Sequence, residues 1–398
     1  MPFKDGRQAF FDGLFRGLKR MLMAEKDVAA GAKDKNKLRV LHAAQMRTPA
    51  VGVARQMLEE QRVAELQGIP WAARLFVPEG CGLNEVCVES QVSSSNKVSF
   101  KKSFFAWLGN ASRHYDVILL RHSLYSPDEV RFLSEATKPV CLVHHTLEVS
   151  ELASSRGGVG KLLALGEKYF GRMAIRRAAG IVAVTKEIGE YEQRRAGLSA
   201  PFYLYPNGLV VDKTLGLRDE RSGDVPELIF VASHFAPWHG LDLLLGAAAR
   251  SSEDFRVHLV GSLSEEQRIA VYKDSRFIEH GLMKPELISD IAARCWVGVG
   301  TLALHRNNMF EACPLKVREY LASGLPVFAS YADIFPDAFP FFRKGGVSMD
   351  EVLSYCRHVR QFSRADVAKA AYPFIDKGGL IANLYGMICN DFDVNSNC

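Results

Sequence analysis

Two carboxylates on either side of a predicted helix start, Glu311 and Glu319, stand where binding chemistry is expected. Between and after them, Pro314 suits the first turn of a helix, and Gly324 suits a left-handed C-cap. The spacing predicts a helix over 314–323 whose first free N–H groups form a site for an anion such as a diphosphate. Carboxylates accept hydrogen bonds from hydroxyls, so a sugar or a ribose is a suitable neighbour.

A pair of histidines, His144 and His145, ends a predicted strand over 139–146. A histidine at the end of a strand is ordinarily a hydrogen-bonded loop residue, although imidazole, which titrates near neutral pH, is also common in active sites. Glu148 and Glu151 follow closely, and either carboxylate is a candidate general base. The residues alone leave these alternatives open.

Two glycine-rich segments imitate nucleotide-binding motifs without the context that those motifs need. The run 157–161 (GGVGK) has Ser155 where a phosphate loop requires a glycine, and no predicted strand precedes it. Gly298 and Gly300 lie in a strand-like run without the third glycine of the dinucleotide fingerprint. The sequence therefore predicts neither a nucleoside triphosphate site nor a dinucleotide cofactor.

Apolar runs alternate with helical patterns along two stretches of the chain, 38–212 and 228–370, which predicts parallel sheets with helices on both faces. Within the first stretch, 93–102 is predicted to be a polar, basic loop. The polar stretch 213–227 is the predicted connection, and the helical tail 371–398 is predicted to cross back to the first domain. The fold class is α/β, with two Rossmann-like doubly wound domains facing a central cleft.

The segment 1–37 differs from the rest of the chain. Phe and Leu recur there at helical spacing between Lys and Arg, which predicts a basic amphipathic helix and a linker. Such a helix either lies in an anionic membrane interface or packs on the following domain. Residues 1–200 carry 30 Lys and Arg against 21 Asp and Glu, whereas 201–398 carry 20 against 24. This asymmetry indicates an anionic partner for the first half, or chance variation between domains.

The composition excludes several classes of protein. With 398 residues, 48% of them hydrophobic and 24% charged, the chain has the balance of a globular protein of two domains, and not that of a disordered or collagenous one. Its eight cysteines include no CxxC pair, which indicates reduced thiols and argues against a zinc site. No apolar run has the length of a membrane span, and no signal peptide is recognisable. We expect a cytoplasmic protein, free or peripheral on the inner face of the cell membrane, without a nucleic-acid partner.

The order of several short motifs resembles the retaining GT-B glycosyltransferases of family 4 in the usual sequence classification. The E-x7-E pattern of that family is followed by a small residue, Gly and Pro. Glu311 and Glu319 match the pattern, and Ser323, Gly324 and Pro326 follow them. Supporting segments are VHHT at 143–146, PNG at 206–208 with Asp212, and WHGLD at 238–242. The resemblance spans residues 38–390 and rests on the shared order and spacing of these pieces.

The resemblance implies a role for each matching residue. Glu311 would bind the donor sugar, Glu319 the ribose of the nucleotide, and His145 or His144 would lie near the reacting centre. The other donor-binding candidates, which include the backbone N–H groups for the phosphates, are Ala312, Cys313, Pro314, Leu315, Lys316, Ser233, His234, His239, Asn207 and Gly208.

Two features depart from the family's pattern. Where the family has an Arg and a Lys that hold the diphosphate, this chain has His234 and His239, which supply less charge when neutral. We expect Lys316 or Arg47 to compensate. The loop 44–52 also lacks the family's usual glycine pair. An altered donor, a pH-sensitive donor site and an inactive relative therefore remain alternatives.

The resemblance implies transfer of a sugar from a nucleotide diphosphate sugar to a glycan or a polyprenyl-diphosphate-linked glycan, in bacterial surface or exopolysaccharide synthesis. It also implies retention of the anomeric configuration, although Glu148 or Glu151 acting as a base would give inversion. No DxD-type cluster is present in a suitable loop, so neither a metal nor another cofactor is expected. The rivals are a nucleotide-sugar 2-epimerase and a non-catalytic relative that binds nucleotide or partner proteins.

Overall fold

The computed structural model describes residues 37–48, 51–79, 88–90, 96–155, 157–197, 199–211 and 217–392. The predicted leader helix, Asp212 and the start of the predicted connection lie outside these ranges. By compactness the chain divides into two units. One comprises Met1–Leu142, Arg177–Ala179 and Tyr385–Cys398, and the other comprises Val143–Arg176 and Gly180–Leu384.

Two parallel sheets organise the described residues. Their strands are β1 (Val40–Gln45), β2 (Trp71–Val77), β3 (Val88–Ser90), β4 (Val117–Arg121), β5 (Val140–His144), β6 (Gly180–Ala183), β7 (Phe202–Leu204), β8 (Glu227–His234), β9 (Arg256–Ser262), β10 (Phe277–Gly281), β11 (Val297–Val299), β12 (Val327–Ala329) and β13 (Phe342–Lys344). The first sheet has the order β3-β2-β1-β4-β5-β6-β7, and the second has the order β10-β9-β8-β11-β12-β13.

Helices connect the strands in both sheets. They are α1 (Val51–Gln67), α2 (Lys97–Ala111), α3 (Pro127–Glu135), α4 (Glu148–Ser155), α5 (Gly157–Ile175), α6 (Lys186–Ala196), α7 (Leu241–Ala248), α8 (Glu265–Val271), α9 (Pro285–Arg294), α10 (Leu315–Ala322), α11 (Met349–Val359), α12 (Arg364–Ile375) and α13 (Lys377–Phe392). None of these described helices is long and apolar enough to cross a membrane.

The strand order of each sheet reverses at its first strand in the chain. β1 pairs in parallel with both β2 and β4, and β8 pairs in parallel with both β9 and β11. This is the doubly wound pattern, in which ligands bind outside the carboxyl ends of the strands at the point of reversal. The predicted α/β class with two Rossmann-like sheets is confirmed.

The strand predictions succeed because parallel strands are buried on both faces. In β2, for example, six of the seven residues are buried. The start of α3 also follows from its residues, since the Ser126 side chain accepts the N–H of Glu129 and Pro127 is the first residue of the helix.

The predicted loop at 93–102 is wrong over its described part, because Lys97 to Lys102 form the start of α2. The Asn96 side chain caps this helix by accepting the N–H of Ser99. Phe100 and Phe104, four residues apart, are buried on one face. The polar residues that indicated a loop are the solvent face of an amphipathic helix.

Candidate functional site

The helix that carries the predicted donor site is α10, and it forms as the sequence predicts. Pro314 is its N-cap, so the helix starts one residue later than expected. Gly324 follows its last turn with φ of +74°, and a Cβ there would lie 2.4 Å from the carbonyl oxygen of Arg364. On the inner face, the buried Tyr320 hydroxyl accepts the N–H of Val231 at 3.0 Å, which fixes α10 against β8.

A basic cluster lies beside the first turn of α10 and consists of Lys316, His239 and His234. The Lys316 ammonium lies 4.9 Å from the centre of the Phe230 ring and donates to the carbonyl of Val231 at 3.3 Å. Burial lowers the pKa of Lys316 to about 7. Burial, with smaller contributions from the charges of Lys316 and His234, lowers the pKa of His239 to about 4. Lys316 thus lies next to both histidines and carries a positive charge below pH 7.

The tautomer of His239 follows from its hydrogen bond. Its Nδ1 accepts the N–H of Ala236 at 3.0 Å, so the neutral ring carries its proton on Nε2 and can donate from that atom. Ser233 and His234 are exposed, and the Ser233 hydroxyl lies 3.4 Å from Nδ1 of His234. Together with the free N–H groups of the first turn of α10, these donors can bind an anion.

Glu311 is held by a residue that the sequence analysis did not single out, Glu187 in the first turn of α6. The Glu187 N–H donates to Oε2 of Glu311 at 2.8 Å, and the Glu311 N–H donates to Oε2 of Glu187 at 2.7 Å. Phe310 also donates its N–H to that carboxylate, at 2.9 Å. The Ala312 N–H is used as well, because it donates to the carbonyl of Ala332 at 3.1 Å. Hydrogen bonds from the N–H groups of Phe310, Glu311 and Ala312 therefore fix the loop before α10 at Glu311 and on both sides of it.

Asn207 and Cys313 position the same loop. The Asn207 side-chain amide donates to the Cys313 carbonyl at 2.6 Å, and the Asn207 N–H donates to Sγ of Cys313 at 3.1 Å. Burial raises the pKa of the Cys313 thiol to about 12, so the thiol stays neutral. A Cβ on Gly208 would lie 2.6 Å from Cδ1 of Leu380, which explains the glycine after Asn207 by close packing.

A fully buried ion pair supports the Asn207 loop from α10. Arg318 donates from Nε to the Asn207 carbonyl at 3.1 Å and from Nη1 to the Asp333 carboxylate at 2.6 Å. Neither charged side chain is exposed. An ion pair stripped of water is stable only when its hydrogen bonds are satisfied, so this contact depends on accurate placement of the loop.

The two predicted catalytic histidines occupy different environments. His144, the last residue of β5, is fully buried, and its Nδ1 lies 3.0 Å from Oε1 of Glu148, which is also buried. His145 is half-buried, and Glu151 is exposed on α4. Glu148 is therefore placed to orient His144.

Metal-binding side chains occur in two groups among the described residues. His144, Glu148 and Glu192 offer donor atoms within 4.8 Å of one another, as do Glu227, His258 and Cys295. In the first group Glu192 accepts from Nε of a buried arginine on α6 at 2.7 Å. In the second, His258 Nε2 lies 3.0 Å from the Glu227 carboxylate. Both groups have the chemistry to hold a metal ion.

The remaining predicted site residues are accessible. Glu319 is exposed on α10, one turn after Lys316, and Pro314 and Leu315 are half-exposed at the start of that helix. Arg47, the other proposed compensating cation, is exposed after β1 and belongs to the first unit.

Comparison with known proteins establishes the fold. No protein-family model matches the sequence, and neither does any curated protein. Among solved structures, the lipopolysaccharide outer core galactosyltransferase WaaB is 12% identical, with a TM-score of 0.63 over 88% of this chain and 99% of that one. HepE from Anabaena, solved with UDP and glucose, is 14% identical, with a TM-score of 0.58 over 89% and 99%. A protein from Listeria monocytogenes assigned as a UDP-N-acetylglucosamine 2-epimerase is 11% identical, with a TM-score of 0.53 over 90% and 98%.

These likenesses cover nearly the whole of each chain, and the fold they share with this protein is the GT-B fold. At such low identity the likeness is one of fold. Activity has to be inferred from the residues of the site.

Proposed function

We propose that this protein is a glycosyltransferase of the retaining, family 4-like kind, which uses a nucleotide diphosphate sugar as donor. One observation carries the proposal. Lys316 and the neutral His239 lie together at the first turn of α10, a grouping of donors suited to an anion, and Glu319 follows one turn later on the same helix. A diphosphate with a ribose attached has the matching order of groups, negative charge for the first turn and hydroxyls for the Glu319 carboxylate. Solved neighbours of the same fold hold UDP, or UDP with glucose.

Each part of the donor is assigned a partner. The Glu319 carboxylate accepts hydrogen bonds from the ribose hydroxyls, while Lys316 and Nε2 of His239 contact the diphosphate. Backbone N–H groups of Cys313 and Leu315 add to this contact. One carboxylate oxygen of Glu311 accepts the N–H of Glu187, and the second carboxylate oxygen accepts from a hydroxyl of the sugar.

Catalysis on this proposal is electrostatic. The bond between the sugar C1 and the leaving diphosphate oxygen breaks while the acceptor hydroxyl bonds to C1 on the same face. The acceptor proton passes to an oxygen of the departing diphosphate. Lys316 and the α10 N–H groups stabilise the negative charge that develops on that diphosphate, which is the preorganisation that lowers the barrier. The buried pair of His144 and Glu148 positions the His145 segment beside the reacting centre.

The rest of the proposal concerns partners and location. The acceptor is a glycan or a polyprenyl-diphosphate-linked glycan of bacterial surface or exopolysaccharide synthesis, reached at the cytoplasmic face of the membrane. Transfer needs no metal and no cofactor. Transfer rates that fall in EDTA and return with a divalent cation would overturn metal independence, and would direct attention to His144, Glu148 and Glu192.

The donor is tested by thermal shift with uridine, guanosine and adenosine diphosphates and their sugars. A ligand of the folded state raises the melting temperature with the logarithm of its concentration over its Kd, so the right base stands out. The Glu319→Ala variant should lose that shift, whereas Glu266→Ala, an exposed glutamate on α8, should keep it. A full shift in Glu319→Ala would contradict the assignment of the ribose site.

A second candidate function is 2-epimerisation of a nucleotide sugar, because the solved neighbours include a protein assigned that activity. Both candidates use the same donor site. Incubation with donor alone, followed by NMR of the sugar, separates them: a new isomer indicates the epimerase. Nucleotide release that requires a crude glycan or lipid-linked acceptor indicates the transferase, and binding without either reaction indicates a non-catalytic relative.

A further inference from the structure

One side of α5 carries large apolar residues that face solvent. Val159, Leu162, Leu165 and Tyr169 have 63%, 68%, 61% and 63% of their surface exposed. On a helix of about 3.6 residues per turn these four lie within about a third of the circumference. Single exposed apolar side chains are ordinary, but a contiguous exposed stripe marks an interaction surface.

Among the residues that the structure describes, the stripe takes no part in the packing of the fold. The opposite side of α5, with Ala164, Gly171 and Ala174, is buried against the rest of the protein. The helix is therefore apolar on two sides, and within the described part of the chain only one of them packs internally. An amphipathic surface helix needs one apolar side, so the second side has a different cause.

Basic residues border the stripe along one edge. Lys161, Lys168 and Arg172 are exposed on α5. The single acidic residue of that helix, Glu167, is buried and accepts from Arg195 at 2.8 Å, so it contributes no negative charge to the surface. An apolar stripe whose own helix contributes only basic residues to the exposed edge has the chemistry of an element that lies in the interface of an anionic bilayer.

We propose that the exposed side of α5 docks on an anionic lipid bilayer, with the four apolar side chains at the boundary of headgroups and acyl chains and the lysines and arginine on lipid phosphates. Charge selects this occupant. A second copy would bring two cationic borders together, and the leader, with nine Lys and Arg against five Asp and Glu in residues 1–37, is cationic too. The proposal does not depend on the sugar chemistry, and it assigns a surface to the positive charge of the first half of the chain.

The test is flotation of the full-length protein with vesicles of phosphatidylcholine alone or mixed with phosphatidylglycerol. We expect binding to the mixed vesicles, weakened by salt, and little binding to phosphatidylcholine alone. The double variant Leu162→Gln/Leu165→Gln should bind more than about tenfold more weakly, because each substitution removes apolar surface that the bilayer would bury. Lys161→Gln/Lys168→Gln should lose the preference for anionic lipid.

The matched control is Ile269→Gln/Leu282→Gln. It replaces two exposed apolar residues away from α5, Ile269 on α8 and Leu282 directly after β10, which are 54% and 73% exposed. It should bind vesicles like the wild type, and all variants should keep the wild-type melting temperature. Unchanged binding of the α5 variant would assign any membrane affinity to another segment and overturn the proposal. So would an absence of vesicle binding, or a dimer in light scattering that dissociates on the Leu162→Gln/Leu165→Gln change.

Discussion

Glu187 and Glu311 exchange hydrogen bonds, each backbone N–H donating to Oε2 of the other residue, at 2.8 Å and 2.7 Å. Two carboxylates tolerate this proximity because each one accepts from backbone donors, and because Glu187 lies in the first turn of α6, where the helix dipole favours negative charge. The contact joins the loop before α10 to a helix of the other sheet within one compact unit. Glu187 thus sets the position of the residue proposed to bind the donor sugar.

Replacing Glu187 by alanine should impair the site without removing any proposed donor contact. The N–H groups of Phe310 and Glu311 lose a charged acceptor, and such hydrogen bonds contribute about 1.5–3 kcal/mol each. We expect a lower melting temperature, a higher KM for donor and a reduced kcat, measured in the same transfer assay.

Glu190→Ala is the control, since Glu190 lies one turn later on α6 and forms only exposed ion pairs with Lys186 and Arg194 among its described contacts. It should leave stability and kinetics unchanged. A Glu187→Ala enzyme with the kinetics of the wild type would show that the loop before α10 needs no support from α6.

The sequence predicts those features that arise from residues close together in the chain. The strands and α10 follow from local patterns: buried Val, Ile and Leu runs, Pro314 at the helix start and Gly324 at its end. The predicted loop at 93–102 was wrong because surface lysines and serines conceal a helix whose buried side only the fold reveals.

Contacts between distant residues had no local signal. Glu187 and Glu311 lie 124 residues apart, and Arg318 meets Asp333 only because β12 and its following loop return beside α10. Glu187 was recognisable as a polar residue just after a buried strand, but that property is shared by many residues at strand ends. The proximity of Lys316 and His239 could likewise not be predicted without the order of the strands in the second sheet.

Breaking the buried pair of Arg318 and Asp333 should destabilise the protein strongly. Removing one partner leaves a buried charge without compensation, at a cost of about 3–5 kcal/mol. We therefore expect Asp333→Ala to lower the urea midpoint well below that of the wild type and to release the Asn207 loop, with weaker nucleotide binding. Asp290→Ala, which removes an exposed partner of Arg218, should shift the midpoint only marginally. Equal midpoints for the two variants would refute the structural role of the buried pair.

Gly261 should not tolerate a side chain. It has φ of +138°, and a Cβ there would lie 1.7 Å from the carbonyl oxygen of Ala232, within the irregularity of β8 between Val231 and His234. A bulge next to a site aims the side chains that follow it, here Ser233 and His234. Gly261→Ala should therefore lower both the melting temperature and the nucleotide affinity.

Gly109→Ala is the matched change at a glycine inside α2, where a Cβ meets no atom within 4 Å. It should leave nucleotide affinity unchanged and raise stability by up to about 1 kcal/mol, because alanine is the better helix former. Similar effects of both substitutions would indicate that the β8 irregularity is not fixed by Gly261.

Lys316 should make diphosphate binding and stability depend on pH in opposite directions. Burial lowers its pKa from 10.5 to about 7, so above pH 7 the ligand-free amine is neutral and the unfolded chain holds a proton that the folded chain lacks. Stability should then rise with pH from 7 towards 10. Diphosphate favours the ammonium form, so binding takes up a proton and its affinity falls over the same range.

Calorimetry of nucleoside diphosphate binding in buffers of different ionisation enthalpy measures this proton uptake directly. Uptake should be small below pH 6 and approach one proton above pH 8, because Lys316 titrates between these values and His239, with its pKa of about 4, stays neutral throughout. Lys316→Met should abolish the uptake, weaken binding most at low pH, and raise the stability of the ligand-free protein, since a buried amine is removed. If affinity does not vary with pH in the wild type, or if Lys316→Met retains the proton uptake, the diphosphate is not held by Lys316.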